Sequence, residues 1–198
     1  MTRVEQLDAI VAQFDLNTHP FYQAWRMGTL PTDKLETYAA EYGDFVATIA
    51  EGWDTIGETH YANEEREHEI LWSHFKEGLG VNGAGTLPTT NVLATAARGL
   101  FEAPATAVGA LYAFEAQQPN TSQSKLDGLN EHYSLSDKAK EYFVVHASDF
   151  NEAEDLRGYV NRQSDEEFAQ TKAACAVVCA AMWSALDGVY YARETVSA

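Results

Sequence analysis

The segment "EYFVVHASDFNEAEDL" (residues 141–156) mixes apolar side chains with an imidazole and several carboxylates at regular spacing. His146, Asp149 and Glu152 follow one another at steps of three residues. Each step turns an α-helix by about 300°, so the three polar groups would lie across one broad helix face. Phe143 and Leu156, in the same segment, have the character of core residues. The segment therefore predicts a helix that brings polar groups to the inside of the protein.

Helical periodicity continues through the rest of the chain, and no segment has the pattern of a convincing strand. Thr32 suits a helix N-cap, and apolar residues recur after it at helical spacing: Leu35, Tyr38, Tyr42, Phe45, Ile49, Trp53 and Ile56. Ser136 suits the N-cap of the helix that contains the opening segment. No Gly-, Pro- or Ser-rich linker and no repeat divides the chain. We therefore predict an all-α fold, one domain over residues 1–198, built as a bundle of about eight helices.

The composition narrows the classes of partner. The 198 residues are 45% apolar, which indicates a globular protein with a sizeable core. A formal charge of −17 argues against binding to nucleic acid or to an acidic membrane surface. The first residues lack the pattern of a secretory signal, and the longest apolar run, "AACAVVCAAMW", is short for a membrane span. We therefore expect a cytoplasmic protein that binds neither membrane nor nucleic acid, with Cys175 and Cys179 as reduced packing residues.

Several acids and histidines have the spacing of a metal site in a helix bundle. Such sites use carboxylates and imidazoles on facing helices, often with a Glu and a His three or four residues apart. Glu64 and Glu65 precede His68 at these distances, and Glu115 lies among apolar residues in "GALYAFEAQQP". Together with the opening segment, three helices supply candidate ligands: Glu64, Glu65, His68, Glu115, His146, Asp149 and Glu152.

The donor set indicates the kind of metal. Oxygen and nitrogen ligands without cysteine suit iron or manganese better than structural zinc. Buried without a cation, ionised groups of this kind would cost several kcal/mol each. Taken singly, each residue also has an interpretation without metal. The segment "NEERE" is typical of a solvated run of charges, and His146 by itself is typical of a core histidine.

Four motifs together resemble one family. "HPFYQAW.MGTL", "HEILWSHF", "LYAFEAQQP.....K" and "YFVVH..D..EA" resemble, in this order, segments of the heme-oxygenase-like diiron oxidases. The similarity runs over about residues 17–160. Within that family the chain is most similar to the branch of the Chlamydia protein associating with death domains and its bacterial relatives, which make p-aminobenzoate, a folate precursor. The resemblance implies a heme-oxygenase-like bundle that holds two metal ions, Fe or Mn/Fe, and uses O2 with an external reductant.

The resemblance also implies ligands. It matches Glu64 or Glu65, with His68, and then Glu115 to family ligands. The family's last ligands follow a His-x-x-x-Asp-x-x-His pattern, whereas this chain has His146-x-x-Asp149-x-x-Glu152. Allowing a gap of one residue places Glu152 at the final ligand position, and we prefer this alignment because every ligand is then a plausible donor. Without the gap, the second metal site would be lost. Glu in place of His would favour manganese or iron.

The p-aminobenzoate branch implies a self-consuming reaction, in which a protein tyrosine supplies the ring and a lysine supplies the amino nitrogen. Tyr22 in "HPFY" matches the tyrosine, and Lys125, ten residues after Glu115, matches the lysine. Tyr38 is the next aromatic residue that we expect to be oxidised at short range. Tyr42 and Tyr112 are further aromatic candidates.

Three readings of the function remain open at this stage. The first is an O2-activating oxidoreductase that makes p-aminobenzoate from its own residues. The second is a diiron oxidase that acts on an external amino acid, amine or fatty acid. The third is a metal-free binding or scaffold protein of the same fold, which the altered third ligand motif favours. By analogy with this architecture we expect a homodimer.

Overall fold

The computed structural model describes residues 1–192 as an all-helical bundle, which confirms the predicted fold class. Eleven α-helices and one 3₁₀ turn are present, eight of the α-helices have 11 residues or more, and the described residues contain no strand. The elements are α1 Arg3–Gln13, the 3₁₀ turn Leu16–Thr18, α2 Pro20–Arg26, α3 Thr32–Val46, α4 Ile49–Thr55, α5 Thr59–Gly78, α6 Pro88–Leu100, α7 Pro104–Glu115, α8 Gln118–His132, α9 Asp137–His146, α10 Asn151–Arg162 and α11 Asp165–Tyr191.

Local sequence signals set several helix starts. Proline occupies the first turn of α2, α6, α7 and α8, where a missing N–H leaves no helical hydrogen bond unmade. The Ser136 side chain accepts a hydrogen bond from the Ala139 N–H, as predicted for the N-cap of α9. The apolar stripe predicted after Thr32 is divided between α3 and α4. Thr48, at the break, donates its hydroxyl to the carbonyl of Phe45.

The opening segment does not form one helix, which corrects the sequence prediction. α9 ends at His146 and α10 begins at Asn151, so Asp149 lies in the connection between them. Asp149 Oδ1 accepts the Asn151 N–H at 3.0 Å, a local bond by which Asp competes with helix formation. His146 and Glu152 therefore come from two different helices.

The last helix, α11, forms the centre of the bundle and packs along α6 and α7. It is long and apolar enough to cross a membrane by length and composition alone. However, Cys175, Val178, Met182 and Leu186 on this helix are at most 1% exposed, because they are packed against the other helices. Its apolar character is thus that of a core helix.

α7 approaches α11 closely at Gly109. A Cβ added there would lie 2.0 Å from the backbone carbonyl oxygen of Thr171. The same crossing is held by the Thr171 hydroxyl, which donates to the Ala105 carbonyl. The position of α7, and with it of Glu115 at the end of that helix, depends on this glycine.

We expect Gly109→Ala to destabilise the fold by about 1–3 kcal/mol, because backbone atoms on α7 and α11 would have to separate. Gly99→Ala is the matched control: Gly99 lies in α6 with no atom within 4 Å of an added Cβ. Removing glycine flexibility there should stabilise the helix by about 0.5–1 kcal/mol. Urea unfolding of both variants measures the two changes, and equal effects would contradict the proposed close contact.

Candidate metal centre

α5 directs two polar side chains into the core. Glu65 and His68 lie three residues apart on one helix face, and Glu65 Oε1 is 2.9 Å from His68 Nδ1. Glu65 is 1% exposed. The neighbouring Glu64 points elsewhere: its carboxylate is partly exposed and lies 3.5 Å from the exposed His60 Nε2. Of the two glutamates that the sequence left open, the structure places Glu65 in the buried cluster.

Two further carboxylates enter from other helices. Glu115 is the last residue of α7 and Glu152 lies in the first turn of α10, and both are buried. Neither oxygen of Glu115 has a hydrogen-bond partner among residues 1–192, and the same holds for Glu65 Oε2. A buried carboxylate without a partner is costly, so such oxygens are suited to bind a cation or to carry protons.

His146 presents one ring nitrogen to this cluster. Its Nδ1 lies 2.7 Å from the carbonyl oxygen of Tyr142. A hydrogen bond to that carbonyl places a proton on Nδ1 and leaves the Nε2 lone pair free, which is the usual support of a metal-bound histidine. Within the described part of the chain, Nε2 has no hydrogen-bond partner, and it lies 3.8 Å from Glu65 Oε1. The rings of His146 and His68 are 4.4 Å apart between centroids.

The five side chains form two overlapping groups of candidate ligands. Glu65, His68 and His146 offer three atoms within 4.8 Å of one another, and Glu65, Glu115 and Glu152 offer a second such set. Glu65 belongs to both groups, which suits a carboxylate shared by neighbouring ions. Asp149, the remaining predicted ligand apart from Glu64, belongs to neither group, because it lies partly exposed in the connection between α9 and α10.

Protonation limits the negative charge of this cluster when no cation is bound. Burial opposes ionisation of Glu65, but the neighbouring His146 and His68 imidazoles outweigh it and lower the Glu65 pKa to about 2. Burial raises the pKa of Glu152 to about 9, and the Glu65 carboxylate adds to the shift. Burial, together with the charge of Glu152, raises the pKa of Glu115 well above its ordinary value. One carboxylate is thus ionised beside imidazoles, and the other two carboxyls hold protons that a cation would displace.

A second buried cluster joins α2, α3 and α8. The hydroxyls of Tyr22 and Tyr38 are 3.0 Å apart. Lys125 Nζ lies 3.5 Å from the Tyr22 hydroxyl oxygen and 4.9 Å from the centre of the Tyr22 ring. These three side chains, each at most 4% exposed, line a cavity of about 10 Å³, called the chamber below. Burial lowers the Lys125 pKa to about 7, because the charged ammonium has lost its water.

The other two tyrosines that we named are both buried, but only one of them lines the chamber. Tyr42 lines the chamber and donates its hydroxyl to the carbonyl of Met182. The Tyr112 hydroxyl instead donates a hydrogen bond to Asp8 and accepts one from Arg157 Nε. Tyr112 does not line the chamber. It is therefore placed as a link between α7, α1 and α10.

Comparison with known proteins bears on this arrangement. The sequence model of a family of iron-containing redox enzymes matches residues 47–153, which is more than half of the chain. The chain belongs to this family of iron-containing redox enzymes. A 4-aminobenzoate synthase of Nitrosomonas europaea is 30% identical over 223 residues, covering 94% of this chain and 90% of that protein. A 4-aminobenzoate synthase of Chlamydia muridarum is 26% identical, covering 94% and 89%. A domain with a heme-oxygenase-like fold from Shewanella denitrificans superposes with a TM-score of 0.79 at 18% identity, covering 96% of this chain and 91% of that one.

Tyr142 is a candidate site residue that the sequence analysis missed. Its ring lies 4.2 Å from the His146 ring on one side, and its hydroxyl accepts a hydrogen bond from Gln118 Nε2 on the other. It lines the chamber. Tyr142 therefore stands between the ligand cluster and the chamber of Tyr22 and Lys125. The available signal was its spacing, since a residue four before His146 shares the face of that histidine on a helix.

Glu115→Gln should lower metal loading by removing the ion of the second group, Glu65, Glu115 and Glu152, while leaving the metal-free fold intact. The neutral amide mimics the protonated carboxyl but lacks the negative charge that the carboxylate offers a cation. Glu41→Gln is the matched control. Glu41 is also buried, but its carboxylate accepts hydrogen bonds from Thr86 N–H, Leu87 N–H and the Thr90 hydroxyl. That control should lower the free energy of unfolding by about 1–3 kcal/mol and keep the metal.

Elemental analysis after iron reconstitution measures the metal loading. Urea unfolding in the presence of a chelator measures the stability of the metal-free fold. Full iron content in Glu115→Gln, or a large loss of stability in its chelated form, would contradict the role given to Glu115.

Lys125 should make stability depend on pH in a defined window. Between pH 7 and 10.5 the unfolded chain holds a proton on this amine that the folded chain lacks, so the folded state gains stability as pH rises. Below pH 7 the buried charge exerts its full penalty. Lys125→Met should therefore stabilise the protein more at pH 6.5 than at pH 9.5, by up to about 3 kcal/mol. The exposed Lys172→Met serves as control, and parallel urea curves for the two variants at both pH values would exclude a buried amine.

Proposed function

We propose that this iron-containing redox enzyme is a p-aminobenzoate synthase that consumes its own Tyr22 and Lys125. In p-aminobenzoate the amino group lies para to the carboxyl, just as the tyrosine hydroxyl lies para to Cβ. The nitrogen must therefore reach the ring carbon that carries the hydroxyl. The observation that carries the proposal is the distance of 3.5 Å between Lys125 Nζ and the oxygen on that carbon.

The metal ligands in this proposal are the five buried residues of the candidate centre. Glu65, His68 and His146 would hold one ion, and Glu65, Glu115 and Glu152 a second. When bound, iron or a mixed manganese and iron pair would supply oxidising equivalents from dioxygen, with electrons from an external reductant. The unpartnered oxygens of Glu65 and Glu115 support this fit.

Lys125 is suited to act as the nitrogen donor. With a pKa of about 7, a substantial fraction of the chains carries a neutral amine with a free lone pair at neutral pH. The rings of Tyr22, Tyr38 and Phe143 surround Nζ at 4.9, 5.9 and 5.4 Å from their centres. These aromatic walls keep water from competing with the amine for the oxidised ring.

Tyr38 is suited to manage the phenolic proton. Burial raises the pKa of Tyr22, so the hydroxyl stays protonated until the ring is oxidised. Removal of an electron makes the hydroxyl strongly acidic, and the proton then needs an acceptor within hydrogen-bond distance. The Tyr38 oxygen at 3.0 Å and the neutral amine of Lys125 are the two acceptors in place. Tyr142 supports the transfer of oxidising equivalents from the centre, since it contacts His146 and lines the chamber.

The size of the chamber favours a substrate that belongs to the chain. A space of about 10 Å³ has room for about one water molecule. An external amino acid, amine or fatty acid would require the side chains around it to rearrange. Tyr22 needs no such space, because its ring already forms part of the wall.

The test uses protein made with lysine labelled with ¹⁵N at the ε position. After reconstitution with iron and manganese, and addition of reductant and oxygen, the product should be p-aminobenzoate one mass unit heavier, at no more than one per chain. Peptide mass spectrometry should show a loss at Tyr22. Tyr22→Phe and Lys125→Arg should each reduce the yield by more than about tenfold.

Tyr133→Phe is the control, since its hydroxyl donates to the Leu30 carbonyl outside the chamber and the yield should not change. Unlabelled product with intact Tyr22 would point to an external substrate and would overturn the self-consuming route.

A further inference from the structure

A polar cleft opens on the surface beside the chamber. It has a volume of about 590 Å³ and lies among α1, the 3₁₀ turn and α8. Its charged lining consists of Asp8, Asp15, Arg26, Asp127 and Arg157. No part of the candidate metal centre lines this cleft.

The cleft and the chamber share a wall that is one layer of side chains thick. Gln117 and Thr121 line both spaces, and each is buried. The 3₁₀ turn completes the wall: Leu16 lines the chamber, while the next residue, Asn17, lines the cleft. A movement of these few side chains would join the two spaces.

One side chain fixes the position of the turn. Gln117 Oε1 accepts the Leu16 N–H at 3.0 Å, and Gln117 Nε2 donates to the Ala113 carbonyl at 3.1 Å. The turn itself comprises only three residues, Leu16–Thr18, between α1 and α2. Breaking the bond between Gln117 and Leu16 would loosen the attachment of the turn to the start of α8 without breaking any helix.

We propose that this cleft is the passage between solvent and the chamber, and that Gln117 is its latch. The passage rests on the proposed function in one respect: the molecule that leaves through it would be the small aromatic carboxylate made from Tyr22. Three carboxylates outnumber two guanidinium groups on the cleft wall, so an anion that reaches it is not retained. The lining thus suits release of the product better than tight binding.

The test measures access to Lys125 without any turnover. Metal-free protein is treated with cyanate near pH 7; neutral isocyanic acid adds to an unprotonated amine, forming a C–N bond and a urea, and peptide mass spectrometry gives the rate at Lys125. Gln117→Ala should raise this rate about fivefold to tenfold, since the loss of one hydrogen bond shifts a local opening equilibrium by that order. Ser124→Trp, which fills the cleft from a position that does not line the chamber, should lower the rate at least about threefold.

Matched controls separate local opening from other effects. Ser134→Trp fills a different surface cleft, of about 430 Å³, and should leave the rate at Lys125 unchanged. Cys175 and Cys179 are buried in α11, so their alkylation by iodoacetamide reports global unfolding in the same samples. If Gln117→Ala exposes these thiols as well, the labelling rate of Ser124→Trp alone decides whether the cleft is the passage. An unchanged rate at Lys125 in Ser124→Trp, or an equal decrease in Ser134→Trp, overturns the passage.

Failure of the passage is distinguishable from failure of the proposed function, because the labelling needs neither metal nor oxygen. If both hold, Ser124→Trp should lose Tyr22 normally under turnover conditions but release p-aminobenzoate more slowly, with product recovered on denaturation. Normal release together with slowed labelling would place the exit elsewhere.

Discussion

The structure depends on a group of acids and imidazoles that four helices hold inside a protein core. Glu65 lies at the middle of this group, beside His68 on its own helix and close to side chains from α7, α9 and α10. Ionised carboxylates in such a place are unfavourable unless something compensates them. The two imidazoles stabilise one negative charge, and burial keeps the remaining carboxyls protonated. A bound cation would replace those protons and link the four helices, so metal binding adds directly to the stability of the folded chain.

Burial alone does not mark these residues as functional, because partners decide the role of a buried polar group. Glu41 is as inaccessible as Glu152, yet three donors satisfy its carboxylate and fix the start of α6. His19 gives the same contrast: one ring nitrogen accepts the Phe21 N–H and the other lies 3.2 Å from Asp187. His146 has a partner at Nδ1 and, within the described residues, none at Nε2. This incomplete set of partners distinguishes His146, as a candidate ligand, from the structural residues Glu41 and His19.

The sequence could predict the fold but only part of the candidate site, because the partners of a buried polar group depend on packing. Periodicity predicts the all-α bundle well, because each helix carries an apolar face. Spacing could not choose between Glu64 and Glu65, since neighbours on a helix point about 100° apart and only the packing of α5 selects one. It also failed at Asp149, where a local side-chain bond ends the regular helix and changes which residues face inward. The pairing of Tyr22 with Lys125 spans 103 positions along the chain. It came from family resemblance, because no local pattern encodes such a contact.

In the proposed reaction, folding of the chain delivers the substrate to Lys125. An enzyme with an external substrate needs a pocket and must order the bound molecule, whereas here the fold itself places Nζ within 3.5 Å of the phenol oxygen. The burial that accompanies such close packing also lowers the pKa of the amine toward neutrality, so the position and the deprotonation of this amine have one cause. The same close packing separates the chamber from solvent. A product formed there, as proposed, would leave only if part of the wall moved, and the part of the wall shared with the surface cleft lies at Gln117 and the 3₁₀ turn.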